Sequence, residues 1–272
     1  MIISSNLAAQ ASANDLTRTS AALTKSLSKL SSGSRIVNAF DDAAGLAISM
    51  RFDAKLERAN AAKDNVSNAQ SFSNTQDGYL KRVAKTLNRM SELAMLSLDG
   101  TKSDADRALY NNEFSQLKGY ITDIATKEFN GVSLFSTANV ESVIDSEGTN
   151  FVMTGINLGA TSTTYNAVIQ SSTNIAGTSA ATTALSSIRA AITELASDRA
   201  KVGANQSRLN MAADYLAATI ETFTAATSAI KDVNVATEST EFSKQNILNQ
   251  STTAMLAQAN QLPQSVLRLL PS

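Results

Sequence analysis

Few residues of this sequence could carry out acid–base, nucleophilic or metal chemistry. The 272 residues include neither histidine nor cysteine, which removes the commonest general base, the usual nitrogen ligand of metals and every thiolate site. Carboxylates remain, and the most suggestive pair is Asp41-Asp42. Because no other ligand lies near this pair in sequence, we interpret it as a helix cap that also stabilises the helix dipole, rather than as a metal site. We predict neither an enzyme nor a cofactor.

Arg35 precedes the two acids in a segment that lacks helical spacing. An arginine in a linker can hold a carboxylate of a neighbouring element through two parallel hydrogen bonds. We therefore predict a structural contact of Arg35, either within one copy of the chain or between copies, with a solvated side chain as the alternative.

The composition favours long helices around a thin core. Apolar residues make up 43% of the chain and aromatic residues only 5%, and alanine lets helices approach closely at little entropic cost. The only prolines, Pro263 and Pro271, lie close to the C-terminus. The net charge of −1 gives no field that would attract nucleic acid or a membrane. The N-terminus lacks the basic and apolar regions of a cleaved signal peptide.

Apolar residues recur at intervals of three and four at both ends of the chain, which is the spacing of a coiled-coil seam. Gly33 is placed to end the first helix, and Asp41 or Asp42 to begin the next one near Ala43. A single helix cannot bury such a stripe, so the ends should pair with each other, with other copies, or both. The N-terminal stripe contains Ala9, Ala13, Leu16, Ser20, Leu23, Leu27 and Leu30, and the C-terminal stripe contains Leu248, Thr252, Met255, Ala259, Leu262, Val266 and Leu269.

Helical spacing continues between the ends. The second helix should extend to about Leu98, with Gly78 as its one possible break. Asp99-Gly100-Thr101 predicts a turn, after which Ser103 or Asp104 can cap a third helix. The apolar stripe of that third helix contains Tyr110, Phe114, Leu117, Ile121 and Ile124.

The composition changes in the middle of the chain, where no Lys or Arg occurs between Lys127 and Arg189. After an Asn-Gly turn at 129–131, we predict a small β-containing region over 132–178. Strands are expected at Phe151–Met153 and around Tyr165, Ala167 and Ile169, and helical spacing returns from Leu185 onwards with a weak point at Val202-Gly203.

Long ordered motifs in both ends of the chain resemble bacterial flagellin. The similarity covers about residues 1–135 and 180–270. Its motifs are LSSGSRI at 30–36, DDAAGLAI at 41–48, NRMSELA at 88–94, FNG at 129–131, GANQSRL at 203–209 and MLAQANQLPQSVL at 255–267. Together with the spacing, the resemblance predicts a mainly α fold: a long antiparallel helical rod with terminal coiled-coil helices and a small β-containing middle insertion.

The resemblance also implies a division of the chain and a set of partners. The expected parts are an N-terminal inner-core helix and linker (1–45), N-terminal outer-core helices (46–131), a variable surface region (132–178), a C-terminal outer-core helix (179–231) and a C-terminal inner-core helix (232–272). Such a subunit forms a homopolymer outside the cell. It is exported unfolded without a cleaved signal peptide, is held by an export chaperone on its C-terminal segment, and meets filament cap and hook-junction proteins.

Two groups of residues carry these expectations. The polymerisation seam should contain Leu16, Leu23, Leu27, Leu30, Leu248, Met255, Leu262, Val266 and Leu269. By resemblance, Arg89, Leu93 and Glu113 match positions through which a host Toll-like receptor recognises flagellin. Two alternatives remain, a hook–filament junction protein with similar ends and a secreted helical membrane-active effector, although the end stripes lack the basic amphipathic face that a membrane-active helix needs.

Overall fold

The computed structural model describes residues 6–159 and 162–269, apart from the side chains of 163 and 262–269. The fold is mainly α, as predicted. The helices are α1 (Leu7–Ser32), α2 (Ala43–Ser97), α3 (Asp104–Ala125), α4 (Thr163–Ile169), α5 (Thr178–Lys231) and α6 (Val235–Leu269). The strands are β1 (Glu128–Phe129), β2 (Val132–Ser133), β3 (Val140–Val143) and β4 (Asn150–Met153).

Local signals in the sequence set the helix ends. Gly33 ends α1 with a φ of 68°, a left-handed conformation that glycine adopts without steric cost. Ser103 begins α3 in a capping box, in which its side chain accepts from the Asp106 amide and the Asp106 carboxylate accepts in return. Before it, the Thr101 amide donates to Asp99 Oδ1 over 2.9 Å in the predicted turn.

The contacts of the chain separate into two compact units. One contains Met1–Lys55 and Thr222–Ser272, and the other contains Leu56–Glu221. Within the second unit α2 and α5 are antiparallel, because their contacts run in opposite directions along the two helices. These contacts are Gln70 to Asn210 (2.8 Å), Asn74 to Gln206 (3.1 Å) and Asp77 to Arg199 (3.1 Å).

The second unit has a continuous apolar core that follows the predicted helical stripes. In α3, Phe114, Ile121 and Ile124 are buried, and Tyr110 and Leu117 pack against them. The stripes of α2 and α5 supply most of the remaining buried side chains, which include Val66, Leu80, Val83, Leu87, Met90, Leu93, Ile188, Leu195, Leu209 and Leu216.

Two antiparallel hairpins lie between α3 and α4. Asn130 and Gly131 both have positive φ, 51° and 78°, which is the type I′ turn that an Asn-Gly pair favours between β1 and β2. In the second hairpin β4 pairs with β3, from Val140 opposite Met153 to Val143 opposite Asn150. The prediction of β4 is confirmed, whereas β3 was not predicted.

The strand predicted around Tyr165, Ala167 and Ile169 is wrong, because these residues form α4. The Ser162 hydroxyl accepts from the Tyr165 amide over 3.3 Å and caps this helix. Tyr165 and Val168 are both buried, and a separation of three places them on one helical face. The strand prediction assumed that every second residue is buried, whereas the buried residues are three positions apart, as in a helix.

Polar side chains from the long helices hold both ends of the middle region. The Gln76 amide donates to the Leu134 carbonyl over 2.7 Å. The ammonium of Lys118 donates to the carbonyls of Gln170 and Thr173, over 3.2 and 2.6 Å. Burial lowers the pKa of Lys118. These contacts attach the region to α2 and α3.

Neither predicted weak point interrupts a helix. Gly78 lies inside the 55-residue α2, and Gly203 lies inside α5. A glycine in a helix interior costs about 0.5–1 kcal/mol relative to alanine, which long helices packed along one face can absorb. Among the described residues, no helix combines the length and apolarity required to cross a membrane.

Candidate self-assembly surface

The two terminal helices, α1 and α6, pack against each other in antiparallel orientation. Residue numbers rise along α1 as they fall along α6, as four contacts show: Asn6 Nδ2 to the Ala259 carbonyl (2.8 Å), Thr19 to Thr252 (3.3 Å), Asn249 Nδ2 to Ser20 Oγ (2.7 Å) and Ser26 Oγ to Glu238 Oε1 (2.6 Å). The two terminal helices therefore pair with each other, which is one of the predicted arrangements.

Small and polar side chains dominate this contact. Its most buried members are Ser26 and Ala259, which are 3% and 6% exposed. Lys29 adds an ion pair to Glu238 at 3.6 Å. Hydrogen bonds of this kind set the register of the two helices, and the leucines in the contact are only half-buried, so the contact alone provides modest stability.

The structure divides the predicted N-terminal seam into a covered and an open part. Leu16, Leu23 and Leu30 are half-buried and share the face of α1 that carries Thr19 and Ser26. Leu27 lies beside this face and is 53% exposed. Three of the four predicted leucines thus contribute to the contact within the chain.

The structure also divides the predicted C-terminal stripe, because Thr252 and Ala259 contact α1 whereas Leu248 and Met255 lie at the edge of the contact. The face of α6 that contacts α1 carries Asn249, Thr252 and Ala259, whereas Leu248 and Met255 are 39% and 60% exposed. At about 100° per residue around the helix, Leu248 and Met255 lie together at the edge of this face that is farthest from Asn249. Leu262, Val266 and Leu269 are outside the residues whose side chains the structure describes.

The sequence analysis missed two residues of α6, one on the face that contacts α1 and one on the exposed side. Leu256 is half-buried on the contact face of α6, at the helical spacing of four from Thr252 that could have revealed it. Ile247 is 67% exposed and extends the apolar surface of Leu248 and Met255. We call these three exposed residues of α6, Ile247, Leu248 and Met255, the open stripe.

Arg35 contacts the end of α5, but its acceptor is not the predicted carboxylate. Its guanidinium donates to the Ile230 carbonyl over 2.5 Å, and its amide donates to the Lys231 carbonyl over 2.6 Å. The Val233 amide donates in return to the Gly33 carbonyl over 3.0 Å. The last carbonyls of a helix have no partner within the helix, which makes them natural acceptors for an arginine. This contact ties the two linkers together.

Asp42 caps α2 as predicted, and Gly45 makes room for the cap. Asp42 Oδ1 accepts from the Gly45 amide over 2.8 Å. A β-carbon at Gly45 would lie 2.4 Å from Asp42 Oδ2 and 2.9 Å from Cδ1 of the buried Ile36. The carboxylate and the isoleucine together leave space only for glycine.

Gly45→Ala should therefore break this cap and displace Ile36. We expect the free energy of unfolding of the terminal unit to fall by about 1 kcal/mol or more, the usual value of a lost N-cap. Chemical denaturation followed by circular dichroism measures this change. Gly100→Ala, where an added β-carbon meets nothing within 4 Å, is the matched control, and equal stability of the two variants would contradict the steric argument.

Asp41 is not a cap, because its carboxylate binds other groups. Asp41 Oδ1 lies 2.6 Å from Lys25 Nζ, and Oδ2 accepts from the Asn38 amide over 3.2 Å. The hydrogen bond from Lys25 lowers the pKa of Asp41, and the Asn38 amide adds to this effect. Asp41 thus fastens the 33–42 linker to α1.

The pH dependence of this contact follows from the direction of the shift. Because the pKa of Asp41 is lowered on folding, its contribution to stability is complete above the ordinary value of 3.8 and is lost as pH falls through the folded pKa. A carbon-13 NMR titration of the carboxyl should give a midpoint below 3.8, and Lys25→Met should move it upward. An unchanged midpoint in this variant would refute the assignment.

The three residues matched to receptor recognition occupy different environments. Arg89 and Glu113 are exposed and form a two-bond ion pair, with distances of 2.7 and 3.0 Å. Glu92 lies 2.9 Å from the same guanidinium. The Arg89 hydrogen bonds lower the pKa of Glu113. Leu93, in contrast, is fully buried in the core, so it presents no surface to a receptor in this fold.

Comparison with known proteins identifies the family. The model of the bacterial flagellin N-terminal helical region matches residues 3–140, and the model of the C-terminal helical region matches residues 185–270. The chain belongs to the bacterial flagellin family. The two matched ranges cover α1 to α3, the first hairpin, most of α5 and α6, whereas most of the second hairpin and all of α4 fall between them.

Individual flagellins are similar along most of the chain. Flagellin from Halalkalibacterium halodurans is 39% identical, with 90% of this chain and 91% of that protein covered. The flagellar filament 30.7 kDa core protein of Treponema maltophilum is 35% identical, with 90% of each chain covered. The crystal structure of Bacillus cereus flagellin is 27% identical and has a TM-score of 0.50, over 56% of this chain and 88% of that one. As a flagellin, the chain is a structural subunit and not an enzyme.

Proposed function

We infer that this chain self-assembles into the helical filament of the bacterial flagellum, which is used for swimming, and that the open stripe of α6 forms part of the seam between subunits. The assignment of the seam rests on the open stripe, which is apolar and exposed and lies beside the contact between α1 and α6. Ile247 and Met255 are both at least 60% exposed. Scattered exposed apolar residues are common, but Leu248 and Met255 lie about two helical turns apart on one side of α6, and Ile247 widens this apolar area, which indicates an interaction surface.

Leu27 of α1 extends the proposed seam. It lies beside the face of α1 that contacts α6, as Met255 lies beside the corresponding face of α6. Two helices that pack through one face while each offers apolar residues on an adjacent face can accept further helices on that side. We include the predicted residues Leu262, Val266 and Leu269 in the seam because they continue the same spacing along α6.

A screw operation that does not close generates an open filament from identical head-to-tail contacts. In this arrangement residues 1–45 and 232–272 form the inner core, 46–131 and 179–231 form the outer core, and 132–178 forms the outer surface. Apolar burial between copies supplies the free energy that the polar contact within one copy lacks.

The open stripe also supports the proposed partners. Apolar side chains on α6 must be covered before assembly, which favours an export chaperone that binds the C-terminal segment during passage to the cell exterior without a cleaved signal peptide. Cap and hook-junction proteins would offer terminal helices with the same spacing. A host Toll-like receptor would contact the exposed Arg89–Glu113 pair.

Seeded polymerisation tests the function. Purified protein is heated to monomers, cooled, mixed with short filament fragments and imaged by negative-stain electron microscopy. Long uniform tubes support the filament subunit. Rings or stubby caps would indicate a junction protein instead, and persistent monomers that bind liposomes would indicate a membrane-active effector.

A further inference from the structure

Gly78 occupies an unexplained position in the middle of α2. A β-carbon at this site would meet nothing within 4 Å, so no neighbour within the chain requires a glycine. Alanine is the better residue for a helix interior. The absence of a side chain at Gly78 therefore leaves the surface of α2 open without any benefit to the isolated subunit.

The exposed surface of α2 around this glycine forms a shallow, open depression, which we call the Gly78 notch. It has a volume of about 270 Å³ and is lined by Thr75, Gly78, Tyr79 and Arg82, all on α2. An opening of this size admits a side chain from another molecule. No part of the described chain fills it.

The notch also contains a preorganised cation. The Arg82 guanidinium lies 5.6 Å from the centroid of the Tyr79 ring, a stacking distance that stabilises the cation. The Tyr79 ring is in turn held edge-on against the buried Phe135, at 6.3 Å. Two packed rings thus restrict the position of the guanidinium beside the notch.

Arg82 has no carboxylate partner among the described residues. The acid nearest to it in sequence, Asp77, is already occupied by Lys81 at 2.7 Å and Arg199 at 3.1 Å. A guanidinium held by aromatic packing binds a carboxylate through two parallel hydrogen bonds. The complementary group is therefore an acidic side chain from outside the chain.

We propose that the Gly78 notch receives an aspartate or glutamate side chain of a second copy of this chain, which Arg82 binds. The inference rests on the proposed self-assembly, because a screw operation places the same group of a neighbouring copy at each notch. The chain has carboxylates that are available for this contact. Asp64, Asp123 and Glu128 are exposed and make no ion pair among the described residues.

A larger side chain at position 78 tests whether the notch is needed for assembly, and the stability of the monomer shows whether folding is affected. Gly119 provides the matched control, because it lies inside α3, is exposed, and an added β-carbon meets nothing within 4 Å. Gly78→Leu and Gly119→Leu should both raise the thermal midpoint of the monomer slightly, since both remove a helical glycine. Only Gly78→Leu, whose side chain occupies the notch, should slow seeded elongation, by about tenfold, the effect of losing one buried charged contact.

Two outcomes of this experiment overturn different claims. If wild-type tubes and Gly78→Leu tubes elongate equally fast, the notch has no role while the filament function stands. If the wild-type protein does not elongate from seeds at all, both the notch and the filament function fail.

Chemical cross-linking identifies the partner. In the Arg82→Lys variant, a zero-length carbodiimide activates a carboxylate, and the introduced amine displaces the activating group as urea to form an amide. No acidic residue lies three or four positions from residue 82 on α2, so a link within the helix is not expected. Filaments of mixed nitrogen-15-labelled and unlabelled subunits should yield peptides linked between copies, absent from monomers. Filaments in which other lysines cross-link between copies but residue 82 does not would refute the proposal.

Discussion

Met255→Asp should leave the isolated subunit helical and reduce seeded filament growth by about 100-fold. Met255 is 60% exposed in one subunit, so an aspartate there remains solvated and costs the monomer little. In the proposed seam the same carboxylate would be buried without a partner, and such burial costs several kcal/mol. A 100-fold reduction corresponds to about 2.8 kcal/mol per added subunit. Light scattering of seeded monomers measures the rate, and circular dichroism measures helicity.

Met255→Leu is the control for this experiment. Leucine keeps an apolar side chain of similar volume, so growth should stay within about twofold of wild type. Normal growth of Met255→Asp would show that this side of α6 faces solvent in the filament and would remove the open stripe from the seam. Loss of helicity in the monomer would instead show that Met255 supports the subunit itself.

Leu93→Ala should lower the free energy of unfolding of the second unit by about 2–5 kcal/mol, the usual cost of removing a fully buried leucine side chain. Leu93 is 0% exposed and lies in the continuous core with Met90 and Ile121. The truncation leaves a cavity that the packed helices fill only in part. Denaturant unfolding of the monomer, followed by circular dichroism, gives the value.

Arg89→Ala is the matched control for Leu93→Ala. Arg89 and Glu113 form an exposed pair, and exposed ion pairs contribute little to stability because solvent screens them. The unfolding midpoint of this variant should therefore remain close to that of wild type. A stability loss in Arg89→Ala as large as that in Leu93→Ala would contradict our conclusion that Leu93 is the core residue among the three residues matched to receptor recognition.

The same two variants refine the receptor proposal. If a Toll-like receptor contacts this surface directly, Arg89→Ala should reduce the response of reporter cells while the monomer remains folded. A reduced response to Leu93→Ala should follow the loss of structure and recover at lower temperature, where more of the variant is folded. No response to the wild-type monomer would refute receptor recognition altogether.

Periodicity and local chemistry determined most of the helical architecture. The spacing of Phe114, Ile121 and Ile124 places these residues on one face of α3, and this face is buried. Asn130 and Gly131 form the predicted turn because few other residues adopt two successive positive φ angles. Gly33, Asp42 and Ser103 end or begin helices through contacts that span at most a few residues. All these features depend on interactions close in sequence.

Only the tertiary structure decided which face each element buries and which partner each polar group finds. Alternation around Tyr165 was compatible with a strand until packing buried Tyr165 and Val168 on one side of α4. Arg35 could have reached any carboxylate, and its acceptor became the Ile230 carbonyl because the end of α5 lies beside it. On α6, the sequence determined a helix with apolar residues at seam spacing. Which of them α1 covers depends on the rotation of two helices joined through residues more than 200 positions apart, and no local signal specifies that rotation.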